Sequence, residues 1–342
     1  MIKRWLAAWQ IAAVYVGTVV GAGFATGKEI IAFFTQYGKI GTMGVLISGW
    51  LFAWLGMRMM MMARALRASS YKQLNDYLFG KTASTFVTFI MTIMIVGVTS
   101  VMLSGAGALF EEQLGLPKPL GMLATIVLVF AVMLYDAKGL FAVNVFVVPM
   151  MILFSFVLLG KLLLGGEWCG PSSSSPSSWS AFFSPLSYAA FNLAMAQPVL
   201  VPLASEAEDD RVVKWGALLG GILLTSILLS SHFVLLSFPH VLRYEIPMAE
   251  IVRTFFTYFY WLYLFIIYGE IFTSIIGGVF GLQRQFQAFS STLFLAILFL
   301  ILYTISSFRY GSLLSFLYPL FGYISLLFLV LLLFRKIPQT SK

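Results

Sequence analysis

The chain has 342 residues, 60% of them hydrophobic and 10% charged, with a formal net charge of +8 at pH 7. A soluble domain carries about 25% charged residues, so this composition excludes a water-soluble globular protein and marks an all-α integral membrane protein in contact with a lipid bilayer. The basic residues sit in short stretches between apolar segments, so the charge is read as membrane sidedness and not as affinity for nucleic acid. One cysteine, Cys169, and two histidines exclude a disulfide framework and leave too few ligands for a structural zinc site.

A span takes about 20 apolar residues. Ten segments qualify, near 8–36, 41–64, 82–110, 118–135, 139–164, 181–204, 212–238, 247–281, 289–307 and 311–334. The first is too long for a signal peptide and lacks a small-residue cleavage site. Its centre reads Gly17-Thr-Val-Val-Gly21-Ala22-Gly23-Phe24-Ala-Thr-Gly27-Lys28-Glu29. Each interior glycine costs a helix about 1 kcal/mol relative to alanine. A backbone group freed in lipid costs several kcal/mol more unless protein, water or a ligand takes it up. Two readings follow: a close packing face made by small residues four apart, or interrupted backbone lining a cavity.

An even number of spans puts both ends on one side. With the N-terminus inside, fourteen of the 21 lysines and arginines fall on the inner side and seven on the outer. Both termini are therefore expected in the cytoplasm. Residues 165–180, rich in Gly, Ser and Pro, read as an extracellular linker that leaves Cys169 a lone thiol. The linker separates residues 1–164 from 181–342, five spans each, and corresponding spans start roughly 170 residues apart. An odd number of spans per half makes the second half enter from the opposite side, which is the plan of an inverted repeat.

The sixth segment carries the second suspected break, Asn192-Leu-Ala-Met-Ala-Gln197-Pro198-Val-Leu-Val-Pro202. Pro198 removes a helical hydrogen bond and crowds the carbonyl of Ala194, and Pro202 repeats this one turn later. A proline-kinked packing helix is one explanation. Two interrupted helices at matching places in the two halves point instead to a transporter binding site.

Ten spans with breaks in spans 1 and 6 resemble the LeuT fold of the amino acid–polyamine–organocation superfamily. The span 1 run Gly-Thr-Val-Val-Gly-Ala-Gly-Phe-Ala-Thr-Gly-Lys-Glu is similar to that of the YkvI-type bacterial membrane proteins. The resemblance implies a solute pocket at Gly21, Ala22, Gly23 and Phe24, with Phe191, Asn192 and Gln197 from span 6. It also implies a sodium site from the carbonyls of Gly17, Val20 and Glu270 with the hydroxyls of Thr273 and Ser274. Phe24 replaces the asparagine that serves a second sodium ion in the prototype. Span 5 lacks the mid-span lysine of some proton-coupled relatives, which favours sodium.

Glu270 is the acidic residue placed well inside a span, and intramembrane charges are functional hypotheses by default. It would face a bound cation, carry a proton, or hold an amine. Glu29 is expected near an outer vestibule, paired with Lys28 or Lys39, and Glu206 near the inner mouth; both are candidates for coupling or gating. His232 and His240 read as satisfied polar groups without a nucleophile or metal motif. The acidic run Glu206 to Asp210 reads as a solvated loop. The expectation is a non-enzymatic secondary transporter in the bacterial cytoplasmic membrane, moving a small amino-acid-like or amine solute, without a cofactor, driven by Na+ or H+. The rival is a solute sensor on the same fold. The sequence leaves the oligomeric state open.

Overall fold

The computed structural model describes residues 2–133, 138–164, 179–207, 209–285 and 292–338. Those residues form helices and connecting turns, with no strand among them. The first apolar segment is split into α1 (Ile2–Val19), α2 (Ala22–Ala25) and α3 (Lys28–Phe33). The second runs through α4 (Lys39–Leu51), a π-helical turn at Phe52–Gly56, and α5 (Met57–Leu66). A short helix, α6 (Tyr71–Phe79), leads to α7 (Lys81–Leu114), α8 (Lys118–Met133) and α9 (Lys138–Leu164). The second half contains α10 (Trp179–Glu206), α11 (Asp210–Ser237), α12 (Pro247–Phe255), α13 (Tyr260–Gln285), α14 (Thr292–Ser306) and α15 (Tyr310–Phe334). Among the described residues, six helical stretches are long and apolar enough to cross a membrane, and three apolar helices are shorter. These nine coincide with nine expected segments; the remaining segment is the broken first one.

Packing shows the repeat. Helix α1 packs on α11 and α10 on α4; α15 packs on α7 and α13 on α9; α14 packs on α7 and α13 on α8. Exchanging each span for its counterpart in the other half converts the first member of each couple into the second. That reciprocity is what a five-plus-five inverted repeat requires. Both chain ends lie at one face, here termed proximal. There Arg4 pairs with Asp209 at 3.4 Å, Arg64 pairs with Asp210 at 2.5 Å, and Tyr77 donates to the Lys336 carbonyl. The acidic loop is thus an ion-paired clasp between spans.

Two expectations are corrected. Helix α10 is continuous from Trp179 to Glu206 with Pro185, Pro198 and Pro202 inside it, so span 6 is not broken. It is the most enclosed of the six long apolar helices, with about two thirds of its most apolar stretch buried. Neighbouring helices hold such a segment together where isolated prolines would part it. The eighth segment starts later than expected. Residues 247–255 are the separate helix α12, folded across the distal end before α13 begins at Tyr260. The linker with Cys169 and the side chain of Asn144 lie outside the described residues.

Candidate functional site

The glycines of the first span interrupt it at two points. Val20 N–H still reaches the Val16 carbonyl at 2.7 Å, but Gly21 is extended (φ −116°, ψ −172°). The helix restarts when Phe24 and Ala25 N–H both turn to the Gly21 carbonyl at 3.0 Å. The second break is Gly27, whose φ of 83° is left-handed backbone that a side chain would strain. Between them stands the one-turn helix α2. Three groups clamp its end: Met248 N–H donates to the Thr26 carbonyl at 3.1 Å, the Thr26 and Tyr310 hydroxyls share a 2.8 Å bond, and Tyr263 OH donates to the Ala25 carbonyl at 3.2 Å.

One face of α2, carrying Gly21 and Ala25, looks at α13. A Cβ on Gly21 would lie 3.3 Å from Ser274 Oγ, and Tyr263 already touches Ala25. Tyr263, Glu270 and Ser274, spaced seven and four apart, share that face of α13. Glu270 is 1% exposed and its Oε1 has no hydrogen-bond partner. Thr273 Oγ1 donates to the Glu270 carbonyl at 3.1 Å. Of the expected cation ligands of span 8, Ser274 stands next to the break at Gly21, while Thr273 bonds within its own helix.

The opposite face of α2 carries Gly23, and there Glu29 folds back. A Cβ on Gly23 would collide with Glu29 Oε2 and stand 3.2 Å from Leu314 Cδ1. Glu29 is 3% exposed, so the expected pairing with Lys28 or Lys39 is corrected. Neighbouring helical residues point about 100° apart. Lys28 turns outward and donates to the carbonyls of Leu242 and Tyr244 at 3.2 and 2.5 Å, while Glu29 turns into the core. Asn192 Nδ2 donates to the Tyr188 carbonyl at 3.1 Å and to Glu29 Oε1 at 3.5 Å. Because a carbonyl only accepts, the first bond fixes which end of the amide faces Glu29. Phe191 packs on Tyr318 with ring centroids 4.7 Å apart. Among the described residues neither Glu29 nor Glu270 has an ion-pair partner. One turn of helix thus stands between two buried carboxyl groups.

Above Glu29, on the distal side, lies an open cavity of about 490 Å³. Its rim holds Lys28, Arg243, Glu245 and Arg309, and Phe33 and Leu314 line it below. Arg309 pairs with Glu245 at 2.9 Å, and Glu112 accepts from Glu245 and Ile246 N–H at 2.9 and 3.1 Å. The loop between α11 and α12 is therefore tied to α3, α7 and α15 at once. Leu314 lines the cavity and also approaches Gly23, the residue against which the Glu29 carboxyl folds.

Sequence comparison agrees with this architecture. No protein-family model matches the chain. The uncharacterized membrane protein YkvI of Bacillus subtilis (strain 168) is 47% identical over 340 residues, covering 96% of each chain. The chain belongs to the YkvI family of membrane proteins. The uncharacterized protein YyaD of the same strain is 21% identical over 97% of this chain and 98% of its own. Among solved structures, the inward-facing conformation of Mhp1 superimposes with a TM-score of 0.64 at 11% identity, covering 95% of this chain and 75% of Mhp1. The Eremococcus coleocola manganese transporter gives 0.58 at 15% identity, covering 96% and 78%. At these identities the likeness is one of fold, and the fold of this YkvI-family chain is the LeuT type.

The remaining candidates are dispersed. Phe24 is buried at 1% exposure within α2, and Gln197 is buried at 1% with its Oε1 unpartnered. Glu206 ends α10 on the proximal side and is exposed. His232 is satisfied as expected, its ring nitrogens each 3.1 Å from a threonine hydroxyl, Thr35 and Thr42. Among the described residues no group of three or more His, Cys, Asp or Glu could hold a metal ion. Sequence reasoning missed Tyr188, Tyr310, Tyr318 and Leu314. Only Tyr188 carried a signal, one helical turn before Asn192.

Proposed function

We propose that this YkvI-family protein is a secondary active transporter. It moves a small amine or amino-acid-like solute through a pocket at the span 1 break, by alternating access. It works in the bacterial cytoplasmic membrane with both termini in the cytoplasm. The observation that carries this reading is the interrupted first span, whose one-turn segment lies between two buried carboxyl groups without ion-pair partners. Such groups are costly in a membrane interior unless they meet a cation. Freed backbone at membrane depth is tolerated where it serves a site. The solute side is Gly21 to Phe24 with Phe191, Asn192 and Glu29; Gln197 belongs to the same helix.

The driving ion is Na+, held by the carbonyls of Gly17, Val20 and Glu270 and the hydroxyls of Thr273 and Ser274. The proximity of Gly21 to Ser274 supports it. An ion drives transport only by favouring one conformation over the other. The unpartnered Oε1 of Glu270 favours a second reading, in which that carboxyl carries H+. Proteoliposomes with imposed Na+ or pH gradients test both. Sodium-driven accumulation abolished by Thr273→Ala/Ser274→Ala supports the first. Accumulation that follows the pH gradient and vanishes in Glu270→Gln supports the second. Saturable binding with no accumulation under either gradient would overturn transport and leave a sensor.

A further inference from the structure

The charges around Glu29 discriminate between the solutes that the transporter reading leaves open. Glu29 and Glu270 are 3% and 1% exposed on opposite faces of α2. The bases nearby are engaged elsewhere, Arg243 on the vestibule rim by the Tyr244 hydroxyl and ring. Lys28 is held by two loop carbonyls, Arg309 by Glu245, and His232 between two threonines. Among the described residues, no buried cation stands ready to neutralise a carboxylate brought in by a solute. The groups facing Glu29 suit a positive charge instead. The Tyr188 hydroxyl, on a residue 0% exposed, lies beside the Glu29 carboxyl, within reach to donate to it. Tyr310 and Tyr318 lie within that field too. Asn192 donates to Glu29, which uses the carboxylate as an acceptor.

We infer that Glu29 is the counter-charge for a protonated amine, and that this pocket takes organic ammonium ions lacking a carboxylate in preference to zwitterionic amino acids. An ammonium group offers three donors to a carboxylate and to phenol oxygens that have room to accept. A zwitterion brings the same ammonium but places a further carboxylate beside Glu29, with Glu270 on the other side of α2. That like-charge juxtaposition is the means of discrimination. The path is the vestibule, past Leu314, which lines it beside Gly23. The inference takes movement of the solute from the transporter reading, but its binding claim stands separately.

The test uses the full-length protein in detergent and two matched pairs that differ by one carboxylate: isopentylamine against leucine, and phenethylamine against phenylalanine. A ligand specific to the folded state raises the thermal midpoint with concentration. Both amines are expected to bind at least about tenfold more tightly than their amino acids. Removing one partner of a buried charge pair weakens binding by at least about 30-fold, which is the loss expected for Glu29→Gln. Glu29→Asp retains part of the binding, and Asp76→Asn on the proximal helix α6 binds as wild type does. Amino acids binding as tightly as the amines overturns the inference, as does undiminished amine binding in Glu29→Gln or no stabilisation by either amine. Should Glu29→Gln fail to fold, the wild-type ranking and Glu29→Asp decide the matter. Vesicle flux separates the two claims. Glu29-dependent amine binding without accumulation removes transport and keeps the ammonium site. Leucine or phenylalanine accumulation that Glu29→Gln leaves intact keeps transport and removes the ammonium site.

Discussion

The first and sixth spans carry the strongest helix-breaking residues of their halves, and they respond in opposite ways. Glycines divide the first span into α1, α2 and α3, while three prolines leave α10 a single helix. A proline forfeits one hydrogen bond and still holds φ near helical values. Close packing against neighbours on several sides can then keep the rest of the ladder. A glycine imposes nothing, so the chain at Gly21 and Gly27 takes whatever conformation its surroundings reward. The rewards at the first break are specific: the Tyr263 and Tyr310 hydroxyls, the Met248 amide and the Glu29 carboxyl all converge on residues 23–26. Proline marks where a helix is weakened; glycine permits where it is rebuilt.

Substitutions can break this contrast. The largest effect is expected for Gly23→Val, whose branched side chain would occupy the space of Glu29 Oε2 and Leu314. Overpacking of this kind costs about 1–3 kcal/mol or more. Solute binding and flux should vanish in protein that remains monodisperse, and full flux would dismiss the pocket. Gly277→Ala on α13 is the control, because a Cβ there meets nothing within 4 Å; it should raise stability slightly.

Gly27→Ala comes next. Left-handed backbone costs a residue with a Cβ about 1–2 kcal/mol, and this Cβ would also stand 2.7 Å from Met248 Cγ. A thermal midpoint several degrees lower in detergent is expected, and an unchanged midpoint would show that the second break is not enforced.

Pro198→Ala sharpens the other side. If α10 is continuous, restoring the missing N–H should leave the midpoint unchanged or raise it, with about 3 kcal/mol as the ceiling. A clear fall would mean that proline is needed for the local path and that span 6 resembles span 1 after all.

The smallest effect concerns the clasp joining the start of span 1 to the end of span 6. The Arg211 N–H, and then Arg4, hold the Asp209 carboxyl below its ordinary 3.8. A depressed carboxyl contributes stability above that ordinary value and loses it as pH falls through the lower folded one. Asp209→Asn should therefore lower the midpoint slightly at pH 7 and make no difference in strong acid. A difference that persists undiminished in acid would point to something other than the charge.

Much of the candidate site was legible in the residues. The glycine run named the first break because a helix interior cannot hide that cost in lipid. His232 was rightly left as a satisfied polar group. Glu29 was placed near an outer vestibule because it lies just beyond the span 1 glycines, with Lys28 or Lys39 as its expected partner. Only the helical rotation after Gly27 shows that Lys28 and Glu29 face different ways. Tyr310, Tyr318 and Leu314 gave no signal, since aromatic and aliphatic residues fill every span and nothing local says which of them meets a carboxylate. The π-helical turn at Phe52–Gly56 was equally silent; the Tyr15 hydroxyl donating to the Phe52 carbonyl at 2.9 Å is contact between distant segments.

By itself the sequence determined that this chain lies in a membrane and that its first span carries the residues that permit a break. Each of these follows from hydrophobic length or from the local cost of glycine, which no neighbour needs to report. Tertiary structure decided whether the sixth span breaks, which way Glu29 points and what surrounds it. Those outcomes depend on packing and hydrogen bonds between residues hundreds of positions apart, as between Thr26 and Tyr310, and local pattern carries no record of them.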